Sequence, residues 1–135
     1  MQVPRYRRRT VLGDTGDVRI DSAEIGPDCY VVCATGGLDG DLTVELGRVL
    51  FTLARGHGVQ LVADLTGAHS ATKTTAGVLT AVAHAVRREN GELVVVSRDP
   101  RVEMLVEETG LGDLMRVERT LQDAVTQPVI AHVHS

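Results

Sequence analysis

The chain has 135 residues, 43% of them hydrophobic and 24% charged, with a net charge of −4. That length suits one domain burying roughly 68% of its extended surface, so stability requires neither disulfides nor a metal. No apolar run reaches the ~18 residues of a membrane helix and the N-terminus lacks the apolar stretch of a signal peptide, so a cytoplasmic protein without membrane contact is expected.

Two tyrosines, one phenylalanine and no tryptophan are too few for a stacking platform for single-stranded nucleic acid. Arg5, Arg7, Arg8 and Arg9 give the first ten residues four positive charges and no acid, leaving −8 on the rest. An acidic body argues against direct nucleic-acid binding. Short charged termini are ordinarily solvated, so residues 1–13 read as a flexible basic arm outside the core.

Taken in chain order, VRIDSAEI (18–25) alternates as a strand does, and Gly26, Pro27 and Asp28 form its turn. CYVVCATG (29–36) is more continuously apolar, which places it centrally in a sheet, and Gly36 and Gly37 break it. Cys29 and Cys33 would lie on one face of that strand about 13 Å apart, too far to bridge. They read as two buried reduced thiols. A metal or redox pair lacks a second pair of ligands, because His132 and His134 fall in the tail.

From Asp41, the positions Leu42, Leu46, Val49, Leu50 and Leu53 follow helical spacing, with Gly56 and Gly58 as stop signals. VQLVADL (59–65) reads as a buried strand. After a polar loop, Leu79, Val82, Ala83 and Val86 mark a helix ending near Asn90 and Gly91, and ELVVVS (92–97) is a third apolar strand. Pro100 opens a helix with apolar Val102, Leu105 and Val106, ended by Gly110. LMRV (114–117) reads as a short strand and Thr120 to Val125 as a final helix. The result is one α/β domain over 14–127, a single layer of mixed sheet with helices packed on it in the order β-β-α-β-α-β-α, followed by that short strand and final helix, and a tail at 128–135.

The loop from Asp64 to Gly77 leaves a buried strand and enters a helix, where α/β folds place ligand sites. It carries Thr66, Ser70, Thr72, Thr74 and Thr75 within ten residues. Thr72 suits the N-cap, which puts Lys73, Thr74 and Thr75 in a first turn whose N–H groups favour an anion. A phosphate on Thr74 would be well tolerated there; a Thr-rich loop is equally a good cap and turn. Gly67-x4-Thr72-Lys73-Thr74 is one residue short of the phosphate-cradling pattern G-x-x-x-x-G-K-[ST]. A β-branched Thr is a poor replacement for the glycine that lets backbone approach phosphate, and no later strand ends in a Mg²⁺-holding acid.

His69 and Ser70 beside Asp64 do not make a triad by sequence proximity. His57 and His84 are isolated, and Glu107 and Glu108 read as a solvated helix face. No catalytic residue, cofactor or metal site is indicated.

In this loop and its surroundings the chain resembles the STAS domain family, specifically the bacterial anti-sigma factor antagonists, over about residues 17–127. The family's Gly-x-Leu-Asp turn is matched by Gly36, Gly37, Leu38 and Asp39, and its Asp-Leu-Ser-Gly strand end by Asp64, Leu65, Thr66 and Gly67. Its later helix and Thr-Gly-Leu turn are matched from Val106 to Leu111. The resemblance implies a non-enzymatic transcription regulator that works by partner switching. The unphosphorylated antagonist binds an anti-sigma factor that is also a serine/threonine kinase; phosphorylation releases it, and a phosphatase resets it.

The family's Asp-Ser-Ser-Gly motif falls on Thr72, Lys73, Thr74 and Thr75, so Thr74 takes the acceptor position, ahead of Thr75 and Thr72, while Asp, the first Ser and Gly are replaced. The implied docking surface comprises Leu38, Asp39, His69, Ser70, Thr72, Lys73, Thr74 and Thr75. The alternatives are a scaffold or sensor module of the same family acting by self-association, and a nucleotide-binding protein using residues 67–74.

Overall fold

The computed structural model describes residues 6–12, 17–108 and 113–125. Arg5, Gly13, the Thr109–Leu111 turn and the tail with His132 and His134 lie outside the described residues. The strands are β1 (Tyr6–Leu12), β2 (Val18–Gly26), β3 (Cys29–Gly37), β4 (Gln60–Asp64), β5 (Ala68–His69), β6 (Glu92–Val96) and β7 (Met115–Glu118). The helices are α1 (Asp41–Leu53), α2 (Lys73–Arg88), α3 (Pro100–Glu108) and a last short one, α4 (121–125).

The sheet runs in the order β1-β2-β3-β4-β6-β7, with the two-residue β5 pairing the end of β3. β1, β2 and β3 are antiparallel neighbours, while β3, β4, β6 and β7 are parallel. The mixed α/β sheet is as expected and CYVVCATG is central, but β1 and β5 lengthen the element order. β1 also corrects the expected arm: Tyr6–Leu12 is a strand in register with β2, with Arg9 opposite Asp21 and Thr10 opposite Ile20. A run of arginines is compatible with a strand because alternate residues point to opposite faces. Here Arg9 Nε donates to Asp21 Oδ1 at 2.5 Å.

Strand alternation sorts the core into two layers. Val32 and Ala34 of β3, Leu61 and Ala63 of β4, and Leu93 and Val95 of β6 face α1, α2 and α3. Leu42, Leu46 and Leu50 of α1 and Leu79, Val82, Ala83 and Val86 of α2 fill the space between, as their 3.6-residue spacing requires. The other sheet face carries Val31, Val62, Val94 and Val96 against Ala124 of α4. Gln60 Nε2 and Arg116 Nη2 both donate to the Ala124 carbonyl, at 3.2 and 3.1 Å, and so dock that helix.

α2 ends as Asn90 and Gly91 anticipate. Asn90 adopts φ +63°; its N–H donates to Arg87 O at 3.0 Å and that of Gly91 to Val86 O at 2.8 Å. These two bonds are the pair that closes a helix through a left-handed residue. Gly91 is required for a second reason. A Cβ there would fall against the Val59 carbonyl oxygen and within 2.7 Å of Val86 Cγ2. Gly91→Ala is therefore expected to destabilise the domain by about 1–3 kcal/mol, read from its urea unfolding midpoint; an unchanged midpoint would show that β4 and α2 can part at no cost.

Candidate functional site

Helices α1 and α2 begin at the same end of the sheet, where β3 and β4 finish. Leu38, one residue past β3, joins them. Its side chain is only 2% exposed in the core and its N–H donates to His69 O at 2.8 Å. Its carbonyl accepts from Thr43 Oγ1 at 2.5 Å and from Thr75 Oγ1 at 3.2 Å, and the two hydroxyls lie 3.2 Å apart. A carbonyl oxygen has two lone pairs, and both are used here, one by a hydroxyl from the first turn of each helix.

Thr72 is the N-cap of α2, as the sequence indicated. It has extended backbone (φ −122°, ψ 174°), and its Oγ1 accepts from Thr75 N while Thr75 Oγ1 accepts from Thr72 N, a reciprocal capping box. Thr72, Lys73 and Thr74 are exposed, but Thr75 is 2% exposed. The Thr74 hydroxyl makes no side-chain hydrogen bond among the described residues. The three candidate acceptors are thus unequal: Thr75 is buried and bonded, Thr72 is engaged in capping, and Thr74 is open.

The surface expectation needs two corrections. Leu38 and Thr75 are internal and cannot present side chains to a partner; what they do is hold the two helix ends together. Asp39, His69, Ser70, Thr72, Lys73 and Thr74 are exposed. His69 Nδ1 and Ser70 Oγ are 3.0 Å apart, and Ser70 holds a left-handed φ of +62° that turns the chain out of β5. Thr43 was not singled out by the sequence. Its only local signal is a hydroxyl at the third position of a helix whose cap, Gly40, offers no side chain.

The segment 64–71 is held by its own hydrogen bonds. Asp64 Oδ1 accepts from Thr66 N at 3.0 Å and Thr66 Oγ1 at 2.7 Å. Ala68 N donates to Leu65 O at 3.0 Å, and Gly67 O accepts from Gly36 N at 3.1 Å. The close approach at Gly67 is toward Thr35 Oγ1. Backbone committed in this way, with β5 inserted between Gly67 and Thr72, does not wrap a phosphate, which removes the support for the nucleotide-binding alternative. The cavity beneath the start of α2, among Leu65, Ala71, Thr75 and Leu79, measures about 10 Å³, whereas ligand pockets run to roughly 300–1,000 Å³.

Cys29 and Cys33 are unpaired and half-buried rather than fully buried. Cys33 Sγ lies 3.7 Å from Asp64 Oδ2. Burial, then the charge of Asp64 and its hydrogen bond, push the Cys33 thiol up to about 12; burial also raises Cys29. Neither is set up as a nucleophile. Among the described residues, no cluster of His, Cys, Asp or Glu could hold a metal ion, and no helix is long and apolar enough to cross a membrane. His57, His84, Glu107 and Glu108 are exposed.

Two outcomes follow from this geometry. Thr75→Val deletes one donor to Leu38 and half of the capping box, and should cost about 1–3 kcal/mol in urea unfolding, with Thr75→Ser close to wild type. A Cys33 thiol at about 12, against its ordinary 9.0, keeps its proton longer in the folded chain. Unfolding above pH 9.0 therefore releases that proton, so stability present below it is lost as pH rises toward about 12. Cys33→Ala should flatten that decline, measured as urea midpoints across the interval.

The STAS domain model matches residues 22–124. Among solved structures, an anti-sigma factor antagonist from Mycobacterium paratuberculosis is similar with a TM-score of 0.64 at 22% identity, covering 94% of this chain and 97% of that one. The unphosphorylated form of the anti-sigma factor antagonist SpoIIAA gives 0.66 at 15% identity, covering 80% and 94%. No curated protein was found to match at the sequence level. The structural neighbours share the fold, and the family model spans most of the chain: this protein belongs to the STAS domain family.

Proposed function

We propose that this chain is a bacterial, cytoplasmic anti-sigma factor antagonist without catalytic activity. It binds a kinase-type anti-sigma factor through Asp39, His69, Ser70, Thr72, Lys73 and Thr74, and so frees a sigma factor. Phosphorylation of Thr74 by that partner ends the complex, and a phosphatase restores it. Family membership and the antagonists among its structural neighbours support the general role.

The observation that carries the switch is the Thr74 hydroxyl, exposed and without a side-chain hydrogen bond among the described residues, between a capping Thr72 and a buried Thr75. A phosphate there would sit at the positive end of α2, next to the Lys73 ammonium, so the fold would accept it. The same phosphate adds about −1.5 to −2 charges to a protein–protein contact, where a mismatched charge costs several kcal/mol. The switch therefore acts at the interface and leaves the core intact.

Thr74→Glu should weaken binding to the cognate anti-sigma factor by at least about tenfold with an unchanged unfolding midpoint, whereas Thr74→Ala should bind and resist phosphorylation by the partner with ATP, read by mass spectrometry. Equal binding of wild type and Thr74→Glu would remove Thr74 as the control point. Failure of wild type to retain any anti-sigma factor, with a stable oligomer in sedimentation, would replace the antagonist by a self-associating scaffold.

A further inference from the structure

The outer side of the α1–α2 pair is unused by the surface described above. Along α1, Val44, Phe51 and Arg55 recur at the spacing of one helix face, and along α2 so do Thr74, Val78, Ala81, Ala85 and Arg88. The two rows flank a seam. Thr43 and Thr75 join its start through hydroxyls 3.2 Å apart. Further along, a Cβ on Gly47 would fall 2.8 Å from Val78 Cγ1, so the helices approach closely there.

The seam is apolar on its solvent side. Val44 is 70% exposed, more than any other large hydrophobic side chain among the described residues, and Phe51 is 40% exposed. Ala81 is exposed, and Val78 and Ala85 are half-buried. A contiguous apolar stripe of this kind marks a contact surface. Its two ends differ. One begins at Thr74. The other opens into a cleft of about 550 Å³ lined by Phe51, Ala54, Arg55, Ala85, Arg88 and Glu89. Of these, Arg55 and Arg88 are positive and Glu89 is the single acid, and neither guanidinium forms a salt bridge among the described residues.

We infer that this seam receives an amphipathic helix of the anti-sigma factor, apolar face inward, with a carboxylate set against Arg55 and Arg88. The inference rests on Thr74 being the control point of that contact. The shape of the occupant follows from the backbone. Main-chain groups of α1 and α2 are spent inside the helices, so an extended segment finds no edge to pair with, whereas a third helix packs its side-chain ridges into the groove between two others. From Thr74 to Arg88 the seam runs about 21 Å, some four turns of an incoming helix. Its identity follows from continuity, because a helix of that length lying on Val44 and Phe51 also covers Thr74. The apolar anchor and the switch then belong to one contact, and a phosphate on Thr74 strikes the segment that the seam holds.

The test uses the full chain and its purified cognate anti-sigma factor, with affinities from titration calorimetry. Ala81→Glu, about 10 Å along α2 from Thr74, should weaken binding at least about tenfold. Val44→Ser should weaken it at least about threefold, and Arg55→Glu/Arg88→Glu at least about tenfold. Thr52→Glu, exposed on the far side of α1 in the cleft with Arg8, should bind as wild type does, and urea midpoints should be unchanged throughout. Amide exchange in the bound partner should slow over one helical segment with apolar residues at three- and four-residue spacing. Wild-type affinity in folded Ala81→Glu and Val44→Ser overturns the inference, as does protection confined to non-helical parts of the partner. A dimer of this chain that Ala81→Glu dissociates overturns it equally, in favour of a second copy. Thr74→Glu separates the inference from the reading beneath it. If Thr74→Glu weakens binding and Ala81→Glu does not, the switch stands and the seam falls; the reverse result keeps the seam as the partner's surface and removes the switch.

Discussion

One main-chain oxygen organises the end of this domain where α1 and α2 begin. The Leu38 carbonyl emerges from the central strand β3 and must be satisfied after leaving the sheet, because an unmet buried acceptor costs about 1–3 kcal/mol. It is satisfied twice, by Thr43 and Thr75. Those hydroxyls belong to the opening turns of α1 and α2, so one acceptor fixes where both helices start. The Leu38 N–H meanwhile ties β3 to His69, and the Leu38 side chain seats the turn in the core. Strand end, loop and two helix ends are thereby made a single rigid unit.

That rigidity gives the surface above it its character. Two helix N-termini lie side by side, each with unpaired N–H groups and a partial positive charge. Thr72 and Thr75 consume part of this capacity in capping, and Thr74 stands exposed between them. An added charge at Thr74 therefore meets a fold already arranged to tolerate it, and its effect falls on whatever lies outside. A modification that leaves the core undisturbed is well suited to reversible control of a contact.

The sheet's two ends are managed differently. At the β7 side, Arg116 lies near Glu92 and Glu118, at 3.8 and 3.3 Å, and anchors α4. At the β1 side, Arg9 and Arg19 lie near Asp21, at 2.5 and 3.4 Å, and Arg8 and Thr10 share a cleft with Arg48, Val49 and Thr52 of α1. The result is a domain with a hydroxyl-lined face at the starts of its helices and an antiparallel strand pair, β1 and β2, at one end of its sheet.

Much of this was legible in the residues. Periodicity alone located β2, β3, β4, β6 and the three long helices, because alternation and 3.6-residue spacing are dictated by the need to bury one face of each element. The Thr72 cap and the Asn90–Gly91 stop were legible too, since both are local hydrogen-bonding devices. Three features were not. The arginine run read as a solvated arm because charge predicts exposure but says nothing of whether the backbone is paired, and its pairing depends on β2. Leu38 and Thr75 read as surface, and Thr43 went unnoticed, because their burial is set by one acceptor five residues from Thr43 and 37 from Thr75. The sequence by itself determined the layers and where each helix begins and ends; only tertiary structure decided which hydroxyls face inward, since that depends on which distant backbone oxygen needs a donor.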